Sequence, residues 1–164
     1  MQDELIFKIL KDLHIDYEVF EHPPTPTIED ALAYWKDIDA THCKNLFFRN
    51  HKGNRHYLVI LDCMHDLDIH DLEHRLHQGK LSFASPERMM RYLGVTPGSV
   101  SPFGLINDTA HHVTVFLDER LRAALKISFH PNRNTASVVM SGEDFIKYLD
   151  WTQNPYEFIN LYNS

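Results

Sequence analysis

The stretch Lys44-Asn45-Leu46-Phe47-Phe48-Arg49-Asn50-His51-Lys52-Gly53-Asn54-Arg55-His56-Tyr57-Leu58-Val59-Ile60-Leu61-Asp62 holds two apolar-rich runs, Lys44 to Arg49 and Arg55 to Asp62. Asn50 to Asn54 separates them, and Gly and Asn take positive φ at little cost, so the stretch predicts a β-hairpin. Its buried side chains are expected among Leu46, Phe47, Phe48, Tyr57, Leu58, Val59 and Ile60.

Outward from the hairpin the periodicity changes. On the N-terminal side Leu5, Ile6, Ile9, Leu10 and Leu13 recur at helical spacing, which predicts an amphipathic helix closed near His14. Ile15, Tyr17 and Val19 then alternate with polar residues, as in a strand, and His22-Pro23-Pro24-Thr25-Pro26 forbids regular structure. Thr27 with Asp30 fits a helix N-cap, and Ile28, Leu32 and Trp35 supply that helix with a buried stripe.

On the C-terminal side Asp68 caps a helix carrying Ile69, Leu72 and Leu76 that stops at Gly79, and Ser85-Pro86 opens another that ends at Gly94. Gly94 to Gly104 packs three Gly and two Pro into eleven residues and predicts a shaped loop. His111 to Leu117, Lys126 to Phe129 and Thr135 to Met140 read as strands, Glu119 to Leu125 as a short helix, and Ser141 with Asp144 as the cap of a last helix. With no repeat, linker or low-complexity segment, the expectation is one α+β domain over residues 1–164, a mixed sheet with helices packed on it.

Composition narrows the function. A chain of 164 residues, 43% hydrophobic and 24% charged, buries roughly 70% of its unfolded surface and needs no cross-links. Sixteen Lys plus Arg against 23 Asp plus Glu leave −7 at pH 7, which argues against gripping long stretches of nucleic-acid backbone; DNA is not an expected partner, and any RNA contact is expected to be local. Cys43 and Cys63 make no disulfide framework, the start MQDELIFKILKD is acidic where a signal peptide is basic, and the longest apolar runs fall far short of the ~20 residues of a bilayer span. A cytoplasmic protein without membrane contact is expected.

Twelve His raise the question of a metal. His70, His74 and His77 share one helix face, but Ile69, Leu72 and Leu76 claim the buried side, so these imidazoles are expected to face water and no metal or cofactor is expected, a metal hydrolase built on the three being the lesser alternative. His111-His112 opens a strand and points to both faces. No Gly-x-Ser-x-Gly elbow, catalytic-cysteine signature, phosphate loop or dinucleotide fingerprint is present. What remains is Lys44-Asn45 at the start of a strand, the Gly94 to Gly104 loop, and Phe129-His130-Pro131-Asn132. Singly, a strand-flanking gatekeeper, a connection and a turn account for them.

Taken together, Lys44-Asn45-Leu46-Phe47, the loop Leu93 to Gly104 with Ile106-Asn107-Asp108, and Phe129-His130-Pro131-Asn132 with Asn134-Thr135 resemble the YbaK-type prolyl-tRNA editing family over nearly the whole chain. The likeness is to its free-standing, trans-acting members, since no synthetase motifs flank these segments. It implies a largely antiparallel, barrel-like mixed sheet with helices around it, and an enzyme that hydrolyses Ala mischarged on tRNA(Pro). It implies catalytic roles for Lys44, a cation for the phosphate or ribose of the terminal adenosine; for Gly98, whose backbone approaches the ester; and for His130, at the pocket wall. Asn45, Ser99, Ser101, Pro102, Gly104 and Asn132 become substrate-binding positions. The implied partners are the acceptor end of a mischarged tRNA and prolyl-tRNA synthetase. A tRNA-end or synthetase-binding module without catalysis is the alternative the same fold allows.

Overall fold

The computed structural model describes residues 2–25 and 27–161. Helix α1 (Gln2–Asp12) buries Ile6, Ile9 and Leu10 and ends before His14, which takes the left-handed conformation at φ 59°. Strand β1 (Tyr17–Glu21) follows, but it lies at an edge of the sheet and Val19 is exposed instead of buried. In α2 (Ile28–Trp35) the Thr27 hydroxyl oxygen accepts from Asp30 N–H, as the capping pattern requires. Its buried residues are Ala31 and Trp35; Leu32 faces solvent, one position off the expected stripe. Pro26 and the Ile28 side chain lie outside the described residues.

The hairpin forms as expected: β2 (Thr41–Asn50) and β3 (His56–Asp62) pair antiparallel from Cys43–Asp62 to Arg49–His56. Strand β3 is buried on both faces, with Leu58 and Ile60 in one apolar layer and Tyr57, Val59 and Leu61 in the other. Helix α3 (Ile69–Leu76), capped by Asp68, presses Leu72 and Leu76 on the second layer, and a three-residue strand β4 (Leu81–Phe83) that the sequence does not signal pairs with β2. Helix α4 (Pro86–Leu93) runs from Ser85 to Gly94 as its caps predict.

The Gly/Pro loop beyond Gly94 is irregular only to Ser101. From Pro102 to Asn107 it winds into a 3-10 helix, because Ser101 Oγ caps Phe103 N–H and Pro102 supplies the fixed φ of a first turn. His111 opens no strand: it sits in a turn at φ 53°, and β5 (Thr114–Asp118) begins three residues later. A 3-10 turn at Glu119–Ala123, β6 (Ile127–Phe129), β7 (Ala136–Met140) and α5 (Gly142–Thr152), capped by Ser141, follow the reading closely. Strand β8 (Tyr156–Ile159) had no sequence signal.

The strand order is β1-β7-β6-β2-β3-β5-β8 with β4 beside β2, four pairings antiparallel and three parallel. One feature positions the site. Strand β2 pairs with β3 along one edge, but its other edge is shared: β6 takes Thr41 and His42, and β4 takes Phe48 to Asn50. The sheet therefore forks at residues 43 to 47. Phe47 C=O, which accepts from Ala84 N–H at 2.9 Å, and Thr41 N–H, which donates to Lys126 C=O at 2.9 Å, both face this shared edge. Alternation then turns the backbone of Asn45 toward the gap, where no strand is registered against it. Among the described residues no helix is long and apolar enough to cross a membrane.

Candidate active site

A cleft of about 250 Å³ occupies the fork. Its floor is the free edge of β2 from Cys43 to Phe47, and its walls come from α2, the β4–α4 segment, the loop at Pro97-Gly98 and the end of β6. It is smaller than the roughly 300–1,000 Å³ of pockets for drug-sized ligands.

Lys44 and Asn45 leave β2 on opposite faces, yet both border the cleft. The Lys44 side chain is only 14% exposed, and its Nζ lies 3.8 Å from Oδ1 of the fully exposed Asp66. Such a surface pair contributes little and exchanges readily for another anion. Asn45 Oδ1 is buried with no hydrogen-bond partner among the described residues. An orphaned acceptor beside unpaired backbone groups is an arrangement that a bound ligand completes.

Gly98 is positioned by local chemistry. Thr96-Pro97-Gly98-Ser99 is closed by Ser99 N–H donating to Thr96 C=O at 3.0 Å, with Pro at the second position and Gly98 at φ 87°. That is the signature of a type II turn, which demands the positive φ. The Gly98 N–H plays no part in closing the turn and has no acceptor among the described residues.

His130 enters from the end of β6. Its Nδ1–H donates to Ala136 C=O at 2.9 Å, so Nε2 is the acceptor nitrogen. Burial holds its pKa below the usual histidine value, against the opposing pull of that hydrogen bond, so the ring is neutral at pH 7. Trp35 stands 5.9 Å from His130 and stacks on His42 at 4.7 Å. Its Nε1–H donates to Ser137 Oγ, which also meets His22 Nε2, each at 3.1 Å. This wall is fixed by hydrogen bonds at both ends.

Of the residues singled out in the sequence, Lys44, Asn45, Gly98 and His130 border the cleft. Ser99, Ser101, Pro102, Gly104 and Asn132 do not line it. Ser101 caps the 3-10 helix, Pro102 C=O accepts from Tyr148 OH at 2.8 Å, and Gly104 lies against Leu93, where an added Cβ would come 2.9 Å from its carbonyl oxygen. Asn132 takes φ 61° in the β6–β7 turn, its Oδ1 buried without a partner. Sequence reading missed Thr25, Ala31, Trp35, Phe83 and Met89 at the cleft. The Pro-rich loop before Thr27 was the available signal: Thr25 N–H and Oγ1 both donate to Asn134 C=O, tying that loop to the His130 turn. His70, His74 and His77 are exposed on α3 and its end, and among the described residues no three His, Cys, Asp or Glu side chains are grouped to hold a metal.

This mixed sheet with its surrounding helices is a fold shared with known proteins. Residues 22–148 match the aminoacyl-tRNA editing domain, and the chain belongs to that family. Within it, the chain is similar to the prolyl-tRNA editing protein ProX of Acetoanaerobium sticklandii, 40% identical over 154 residues and 93% of each chain. It is 33% identical to prolyl-tRNA synthetase associated domain-containing protein 1 of Mus musculus, over 91% of this chain and 90% of that one. A crystal structure of a proposed trans-editing enzyme for prolyl tRNA synthetase superimposes with a TM-score of 0.69 at 22% identity, covering 97% of this chain and 96% of the other.

Proposed function

We propose that this chain, read as one domain over residues 1–164, is a trans-acting deacylase that hydrolyses the ester of Ala-tRNA(Pro), without a metal or a covalent intermediate. What supports this reading above all is that Lys44, Asn45, Gly98 and His130, drawn from three separate parts of the chain, border one small cleft. The extent of its likeness to a prolyl-tRNA editing protein supports the substrate class.

In this scheme Lys44 Nζ leaves Asp66 for a phosphate or ribose oxygen of the terminal adenosine. Asn45 offers its side-chain amide and unpaired backbone to the ribose and ester oxygens. Water adds to the ester carbonyl, and the Gly98 N–H donates to the oxyanion that forms. Collapse breaks the acyl C–O bond and releases alanine, and the departing ribose oxygen takes up the proton that the attacking water gives up, passed directly or relayed through the neighbouring ribose hydroxyl. His130 Nε2 accepts from the α-amino group or the attacking water, which needs the neutral ring. An aminoacyl ester is already activated, so positioning and electrostatics suffice.

Size exclusion supplies the specificity. A synthetase pocket built for Pro loses only about 1–3 kcal/mol per missing methylene when it meets Ala, too little to reject it. A second pocket walled by Trp35, Ala31 and His130 admits the small side chain and excludes the ring. The test is hydrolysis of purified Ala-tRNA(Pro) and Pro-tRNA(Pro), with and without chelator. Clearance of Ala-tRNA(Pro) alone, unchanged by chelator, is expected; binding without turnover would make this a recognition module, and loss with chelator would overturn metal independence.

A further inference from the structure

The cations of this acidic chain are unevenly used. Lys44, Arg75, Lys126, Arg133 and Lys147 each have a carboxylate partner. At the far end of the β2–β3 hairpin, Lys52, Arg55 and Lys80 are exposed and have none among the described residues. They flank a groove between the hairpin turn and the α3–β4 connection; no Asp or Glu lines it or the adjoining hollow that shares Asn54, Arg55 and Gln78, and Glu73 borders only a separate hollow on the other side of Gly79 and Lys80. In a chain with 23 acidic residues and a net charge of −7, three cations without a carboxylate partner around a groove lined by no Asp or Glu form a local positive field.

The groove is also rigid before anything binds. Asn50 Oδ1 accepts from the N–H groups of Asn54 and Arg55, each at 3.0 Å, which locks the turn that carries Lys52. From α4, Arg88 Nη1 donates to Gly53 C=O at 3.0 Å and to His56 Nε2 at 2.9 Å, clamping the same turn from below. Tyr57 OH donates to Gln78 Oε1 at 2.9 Å and joins the two banks. Fixed banks reduce the ordering cost of binding.

We infer that this groove holds backbone phosphates of the RNA whose 3′ end enters the cleft. The inference rests on the functional reading above and extends it to the body of the substrate. Strand β2 carries both sites, with Lys44 at the cleft and Asn50 at the groove, six residues apart, or about 20 Å of strand. Helix α4 links them as well, Met89 bordering the cleft and Arg88 bracing the hairpin turn. A polyanion anchored by its end at Lys44 thus meets exposed cations without a carboxylate partner just beyond the far end of that strand, in the hairpin turn and the α3–β4 connection. Exposed Lys and Arg with Asn, Gln, His and Tyr between them contact phosphate and sugar and read no sequence.

The test compares wild type with Lys52→Ala/Arg55→Ala/Lys80→Ala, whose exposed positions leave the melting temperature unchanged. Fluorescence anisotropy with uncharged tRNA measures Kd across roughly 50–200 mM salt. The triple variant is expected to bind ten-fold or more weakly at the low end, with the log–log salt slope reduced by about 2 to 3. In deacylation KM rises while kcat stays within two-fold. A control removing equal charge from α1 and α5, Lys8→Ala/Lys11→Ala/Lys147→Ala, is expected to keep the wild-type slope. An unchanged slope in the groove variant, an equal loss in the control, or a fall in kcat at constant KM overturns the inference. Because uncharged tRNA needs no hydrolysis, tight binding without turnover in wild type would sink the deacylase reading and leave the groove standing.

Discussion

Lys44 shows how one side chain can be tested apart from its surroundings. It makes a single weak ion pair with a fully exposed Asp66, so Lys44→Ala removes little folding energy. A hydrogen bond to a charged group is worth about 1.5–3 kcal/mol, so kcat/KM for Ala-tRNA(Pro) deacylation is expected to fall roughly 10- to 100-fold with the urea midpoint unchanged. Asp66→Asn, which frees the same ammonium, should retain activity. Gly98→Ala tests the oxyanion donor: a Cβ at φ 87° strains the turn and displaces the N–H, and removal of one such donor costs about 10²–10³ in kcat. Full kcat in that variant would remove Gly98 from the chemistry. The residues proposed for this chemistry were legible because Lys-Asn, Pro-Gly-Ser and His-Pro-Asn are compact local patterns. Trp35, Thr25 and Met89 were not, since an apolar or hydroxyl side chain lines a cleft only by virtue of what the fold sets opposite it.

At the level of elements, caps were the most readable signals. Thr27, Asp68, Ser85 and Ser141 each accept from a backbone N–H two or three residues on, which is a purely local rule. Strands β4 and β8, three and four residues long, escaped because period-two alternation needs more length to register and their pairing partners are distant in sequence. The fork in β2 was equally invisible: nothing in Cys43 to Phe47 tells that β6 leaves and β4 arrives on the same edge. The 3-10 helix that follows the Gly98 turn depends on close packing, with Gly104 against Leu93 and Asn107 Nδ2 donating to Leu93 C=O at 2.9 Å. Gly104→Ala would set a Cβ 2.8 Å from Leu93 Cβ. Overpacking of this kind costs about 1–3 kcal/mol, so a melting temperature several degrees lower is expected by calorimetry. An unchanged melting temperature would mean that α4 and the 3-10 helix can slide apart without cost, and the cleft wall between them with it.

For the whole molecule, three of the histidines bear directly on stability. His42, His56 and His130 are all held neutral, burial being the leading cause in each, and His56 is depressed to about 4. The charges of Arg88 and Arg91 and the neighbouring His112 add to the effect at His56, whose ring is fully buried between Phe47 and Tyr92. The sign follows from proton counting. Below the ordinary histidine value of 6.5 the unfolded chain takes up protons that the folded one refuses, so stability is complete above about pH 6.5 and declines as pH falls toward 4. One such histidine contributes a slope of up to about 1.4 kcal/mol per pH unit. Urea unfolding at pH 7, 6 and 5 should show this decline before most carboxylates titrate. His56→Gln is expected to be less stable at pH 7, having lost its stacking, yet to fall less steeply between pH 7 and 5. If His56→Gln keeps the wild-type slope, the acid sensitivity lies elsewhere, and the brace that joins α4 to the hairpin contributes nothing to it.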